Sequence, residues 1–311
     1  MSARKRAALA RSAILPVGTA LILLVAGAIA HGAAAPVAKK SPPPAAAKKA
    51  APAPAAAKKA APPPAAKPKS PPPPCEMDAE SKEVVQSLTD AMGGQQTWDR
   101  LPYFRFDFVV VKDMKEVARF KHWWDKAHGR CRVEGPDDQG QTVTAIFNLA
   151  DKKGRAFTDG IVETDTTNIK NIIENGYERW VNDTYWIMMP FKLHDPGTRV
   201  KHVREQQDAG GGETYDVLEL SFASDVGLTP HDRYWLYVNQ KTHLIDRWEF
   251  VLTGQKPPPQ GSTWESWTSI GPIQLSLARR FAGKPVMLRF ENVATPTAMD
   301  ETVFTNSRLK N

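Results

Sequence analysis

The chain is 311 residues long and carries 41 Lys and Arg against 34 Asp and Glu, a formal net charge of +7. That excess is confined to the first 74 residues, which hold 12 of the basic residues and no acidic one, so the remainder has 29 basic against 34 acidic residues, a net of −5. A nucleic-acid-binding body, which the overall charge alone would suggest, is therefore excluded as a reading of residues 75–311.

The chain opens on Arg4, Lys5, Arg6 and Arg11, followed by an uncharged run from Ala13 to Ala30 that ends in AIA. Basic start, apolar stretch and small residues at a cleavage point are the marks of an export signal. The run is also just long enough to cross a bilayer as a helix. Residues 1–34 are thus expected to be either a cleaved signal peptide or a membrane anchor through 13–30 with its basic end inside. Both place the body in the periplasm or cell envelope.

Residues 35–74 are almost wholly Ala, Pro and Lys, and PAAAKKAAP occurs at 44–52 and again at 54–62. Nothing bulky is present to offset the entropy of ordering, so a disordered linker is expected. Its prolines favour an extended chain, and about 3.1 Å per residue would carry forty residues on the order of 120 Å. The lysines give it an attraction for anionic envelope surfaces.

Residues 75–311 read as one β-rich domain. Val84, Val85, Leu88 and Met92 make an apolar stripe over 78–92, with Gly93-Gly94 as the stop. In YFRFDFVVV, Phe104, Phe106, Phe108 and Val110 fall on one face, with Arg105 and Asp107 opposite. Strand patterns follow at about 117–124, 129–134, 142–149 and 154–159. A helical period over 166–181, carried by Ile169, Ile172, Ile173, Tyr177 and Trp180, interrupts them. Asn182-Asp183-Thr184 reads as a turn or the helix end, and 185–193 as an irregular apolar segment around Pro190. Further strands are expected at 214–222, 233–239, 244–252, 263–269, 273–281 and 286–293. Close spacing of short strands predicts a mainly β, α+β fold: a large curled antiparallel sheet forming a half-open barrel, with an N-terminal helix and a helical lid.

The seven histidines show no metal-ligand spacing, and no GxSxG, HExxH, phosphate loop or GxGxxG occurs, so neither catalysis nor a cofactor is indicated. Cys75 and Cys131 are the only cysteines, and export permits a disulfide between them. The nine Trp, six Tyr and twelve Phe are the more informative side chains. A packed core would use many of them. The stretch NDTYWIMMPFKLHDPG combines adaptable Met188 and Met189 with several rings, which suits the wall of a groove that takes an apolar partner.

The opening helix with MGG, Trp98 and then LPYFRFDFVV resembles the start of the periplasmic lipoprotein carriers of the LolA/LolB-like superfamily. HWWDKAHGRCRVEG, YERWVNDTYWIMMPFKLHDPG and TPHDRYWLYVNQKTHLIDRWEF are similar to bacterial envelope proteins of that superfamily. The resemblance implies an incomplete barrel, capped by helices, around an apolar cavity for acyl chains. Candidate ligand contacts are Phe106, Phe108, Trp124, Trp180, Tyr185, Trp186, Met188, Met189 and Phe191. The expected partner is a lipid or acylated molecule. The alternative is a structural envelope protein that docks on cell wall or on a protein.

Overall fold

The computed structural model describes residues 71–224 and 226–309. The export segment and residues 35–70 of the linker lie outside the described residues. Residues 71–74 are exposed and precede β1 (Glu76–Met77).

Helix α1 (Ala79–Ala91) begins where Asp78 accepts from the Ser81 amide at 2.8 Å and so satisfies one of the first-turn donors. It buries Val85, Leu88 and the adjoining Met92 completely. Gly93 ends it at φ 102°, and a Cβ there would stand 2.5 Å from the Pro272 carbonyl oxygen, so glycine is required twice over. A short helix α2 (Gln95–Arg100) follows and buries Trp98.

The strands are β2 (Tyr103–Lys112), β3 (Lys115–Asp125), β4 (Arg130–Pro136), β5 (Thr142–Asn148), β6 (Gly154–Thr158) and β7 (Ile161–Val162). After the long helix α3 (Thr166–Met188) come β8 (Thr198–Gln207), β9 (Thr214–Phe222), β10 (Arg233–Asn239), β11 (Ile245–Val251) and β12 (Gln260–Thr263). The last three are β13 (Glu265–Ile270), β14 (Ile273–Arg280) and β15 (Val286–Ala294). They form a six-stranded sheet, β1-β8-β9-β10-β11-β12, and a nine-stranded sheet, β13-β14-β15-β2-β3-β4-β5-β6-β7. All pairings are antiparallel except β1 with β8.

The expected strand 263–269 is in fact two. The chain leaves one sheet and enters the other at Trp264, whose amide still donates to Asp246 O at 2.7 Å, while a lone bridge pairs Ser262 with Phe281. The two sheets are thus hinged at one seam and do not close into a barrel. Inner-face residues from both, with α1 and the end of α3, make one core that includes Phe104, Phe106, Phe108, Leu218, Leu236 and Leu288.

Helix α3 connects β7, an edge of the large sheet, to β8 of the small one, and packs on β4, β5, β6 and β14. It corrects the reading of 182–184 as a helix end and of 185–188 as irregular: the helix runs unbroken to Met188. Pro190 falls after it, near the start of a 3₁₀ turn (Met189–Lys192). Helix and sheet are locked together. Asp183, fully buried, binds His122 Nε2 at 2.8 Å and Arg179 Nη1 at 3.1 Å. Gly176 lets α3 press on β5, since a Cβ there would meet Ala145 Cβ at 2.6 Å. The helix expected as a movable cover is pinned.

The Cys75–Cys131 disulfide is absent. Cys75 Sγ bonds to Leu193 O at 3.2 Å beside β8, whereas Cys131 is sealed between β4, β5 and α3 with Phe147 and Ile173. Burial pushes the Cys131 thiol well above its usual pKa, which makes it inert.

Lys126 follows β3 with its ammonium on the Trp98 carbonyl and 3.7 Å from the Trp98 ring centre. Burial lowers its pKa to about 8 from 10.5. Between those two values the unfolded chain binds the extra proton, so stability rises with pH there, as the folded state sheds a poorly solvated charge. Urea denaturation at steps from pH 8 to 10.5 should show this rise in the wild type. Lys126→Met should flatten it.

Candidate functional site

The second half of α3 presents Trp180, Val181, Tyr185 and Trp186 to a cavity of about 550 Å³. Helical spacing sets this up, because residues three and four apart share a face. Facing them across the hollow are Phe222 of β9, Tyr234 of β10, and Trp248 and Phe250 of β11, alternate positions whose side chains point the same way. Phe281 and Leu288 complete the wall, while Lys192, Asp195 and the stretch 226–229 form the rim. Leu228 stands there half-exposed.

The rings hold one another. Trp186 lies edge-on to Trp248 at 4.8 Å, to Phe250 at 5.7 Å and to Phe281 at 5.7 Å between centroids, so it contacts β11 and the residue that follows β14. Its backbone carbonyl accepts from Arg279 Nη2 at 2.8 Å. Arg279 is itself completely buried, and its guanidinium lies 3.5 Å from the centre of the Trp264 ring. That bond satisfies a last-turn carbonyl of α3 that the helix cannot satisfy itself. Tyr185 packs on Tyr234 at 5.6 Å and on Phe222 at 6.2 Å.

Polar groups are the minority of the lining. Asp232 is buried, accepting from Thr253 N at 2.6 Å, Thr253 Oγ1 at 2.8 Å and Tyr234 Oη at 3.1 Å. Burial, and then the charge of Asp232, pushes the Tyr234 hydroxyl well above its usual pKa. Burial, with Asp195 and Asp232 adding to it, does the same for Tyr185. Both phenols therefore stay protonated. Among the described residues the Tyr185 hydroxyl has no hydrogen-bond partner, which leaves a donor facing the hollow. Lys192 and Asp195 pair at 2.8 Å on the rim.

Of the residues proposed from sequence, Trp180, Tyr185 and Trp186 line this cavity. Phe106, Phe108, Met188, Met189 and Phe191 do not reach it. Each is 0–1% exposed, packed into the solid core. Trp124 sits off the cavity between Trp98 at 6.1 Å and Trp180 at 5.0 Å. The sequence reading missed Phe222, Tyr234, Trp248, Phe250 and Phe281 as wall residues. Their signal was present in the alternation of 214–222, 233–239 and 244–252 and in the run 273–281, which were read as strands without a cavity face.

A second hollow of about 490 Å³ lies between the β4–β5 turn and the first half of α3. It is lined by Asn168, Asn171 and Asn175 with Asp137 and Asp138, and it contains none of the sequence candidates. Among the described residues no three His, Cys, Asp or Glu converge as a metal site.

No protein-family model and no curated protein matches the chain. Among solved structures it is similar to a LolA superfamily protein from Nitrosomonas europaea, with 13% identity and a TM-score of 0.42 over 74% of this chain and 99% of that one. It is also similar to a DUF1329 family protein from Desulfovibrio piger, with 10% identity and a TM-score of 0.41 over 72% of this chain and 96% of that one.

Proposed function

We propose that this chain is an exported, non-catalytic binding protein that holds an apolar or amphipathic molecule, a lipid or an acyl chain, in the cavity between α3 and the six-stranded sheet. Residues 1–34 would direct export or anchor the chain, and the Ala/Pro/Lys segment 35–74 would space the domain from that anchor. The observation that carries the reading is a hollow of about 550 Å³ walled largely by aromatic rings from α3 and the six-stranded sheet. That volume is in the range of small-molecule sites, roughly 300–1,000 Å³. Each methylene taken from water into it contributes about 0.8 kcal/mol.

Titration with a fluorescent acyl probe tests this. Wild type should bind, and Leu252→Trp, which fills the hollow, should bind at least about tenfold more weakly, as should Trp186→Ala, which removes a wall. Circular dichroism should show all three folded. Met188→Ala is the contrast. Its side chain is 1% exposed and off the cavity, so it should lower stability by about 2–5 kcal/mol and leave probe affinity alone. Equal affinity in wild type, Leu252→Trp and Trp186→Ala would defeat the proposal. Absence of probe binding, with co-sedimentation on cell wall that depends on 35–74, would favour the structural alternative.

A further inference from the structure

The charged residues lining the cavity are mostly acidic, and this bears on which head group an occupant can carry. Among the lining residues Glu178, Asp195 and Asp232 are acidic, and Lys192 alone is basic. Lys192 pairs with Asp195. Asp232 is held by neutral donors only, from Thr253 and Tyr234, so its charge is solvated but not cancelled. The buried Arg279 does not line the cavity: its Nη1 and Nη2 donate to Trp186 O, Ser276 O, Ser276 Oγ and Ala278 O, and its guanidinium lies 3.5 Å from the centre of the Trp264 ring.

We infer that the cavity selects amphiphiles whose head is uncharged or cationic and discriminates against carboxylate and phosphate heads. This rests on the cavity reading given above. Three features act in the same direction. The surplus of carboxylates repels an anion, and between low-dielectric walls that repulsion is screened far less than in water. The rings of Tyr185 and Trp186, both only partly buried where they border the hollow, offer electron-rich surface to an ammonium group. The unpartnered Tyr185 hydroxyl can donate to an ester, amide or alcohol oxygen, so a neutral polar head finds a bond there and no opposing charge.

Discrimination of this kind is a difference of affinities, achieved here by an unfavourable contact with the wrong head more than by a special one with the right head. It is read most directly from ligands that share a tail. Calorimetric titration of the intact protein at neutral pH with decanol, decyltrimethylammonium and decanoate, each below its aggregation threshold, supplies the comparison. Decanol and decyltrimethylammonium should bind at least about tenfold more tightly than decanoate, the scale set by one unit charge near another at intermediate dielectric. In the double variant Glu178→Gln, Asp195→Asn that ratio should shrink severalfold. Lys192→Gln should widen it. Decanoate binding as tightly as decanol, or a ratio indifferent to these variants, would overturn the inference while leaving an apolar cavity in place. Binding by none of the three would remove the cavity reading itself.

Discussion

Replacing Asp183 with leucine is expected to lower the unfolding free energy by about 3–5 kcal/mol, because it strands a buried charge. Arg179 is 4% exposed, and its one carboxylate partner among the described residues is Asp183, at 3.1 Å. Its guanidinium lies 3.8 Å from the centre of the Phe120 ring, and the residue borders the second hollow. His122, 1% exposed and stacked on Phe106 at 4.5 Å, loses its partner in the same step. The triple variant His122→Phe, Arg179→Met, Asp183→Leu removes all three polar groups together, and should regain most of the loss. Urea denaturation followed by circular dichroism compares the two. A single variant as stable as wild type would show that the network carries no such energy.

Trp248→Ala is expected to cost about 3–5 kcal/mol, the range for deleting a large buried ring. The side chain is 1% exposed and touches Tyr234, Trp186 and Trp264 at 5.1, 4.8 and 5.3 Å between centroids. Its Nε1 also donates to the buried Ser262 hydroxyl at 2.7 Å. Trp248→Phe keeps most of the packing and loses that bond, so about 1–2 kcal/mol is expected. Because Trp248 is also cavity wall, the alanine variant should accept bulkier acyl probes at reduced stability. Those two readouts separate its structural role from its lining role.

Much of the architecture could be read in the chain. The stripe Val85, Leu88, Met92 and the Gly93-Gly94 stop located α1 within a residue or two. Strands β9 and β10 coincide with the runs read at 214–222 and 233–239, because alternation is clean there and turn residues bound both. Strand β8 was missed for a physical reason. TRVKHVREQQ has only two apolar residues, Val200 and Val203, and owes its extended form to the ladder with β9 and to the short pairing with β1. A pattern confined to ten residues cannot report a partner's hydrogen bonds.

The same distinction explains the site. The segment around Pro190 was read as irregular from 185, but a proline's ring obstructs only the turn before it, and near the start of a 3₁₀ turn it obstructs nothing. With the helix continuing to Met188, neighbours in sequence point in different directions. Tyr185 and Trp186 reach the hollow while Ile187 and Met188 go into the core. The stretch looked uniformly suited to a ligand because its rotation was not visible. Asp183 looked like a turn residue because its partner His122 lies 61 positions earlier.

Strand β2 lies beside β15, with Phe108 opposite Phe290. The earliest long strand and the last one are therefore neighbours at the heart of the larger sheet. A chain delivered amino end first must hold one flank of β2 unfilled until almost its whole length has arrived. Loop closure over that separation makes assembly slow, and an unfilled flank is a template on which a second copy can stack. The hazard in the life of this protein falls in the interval between the emergence of β2 and completion of that ladder, so its folded yield should depend on holdase chaperones more than its final stability would suggest.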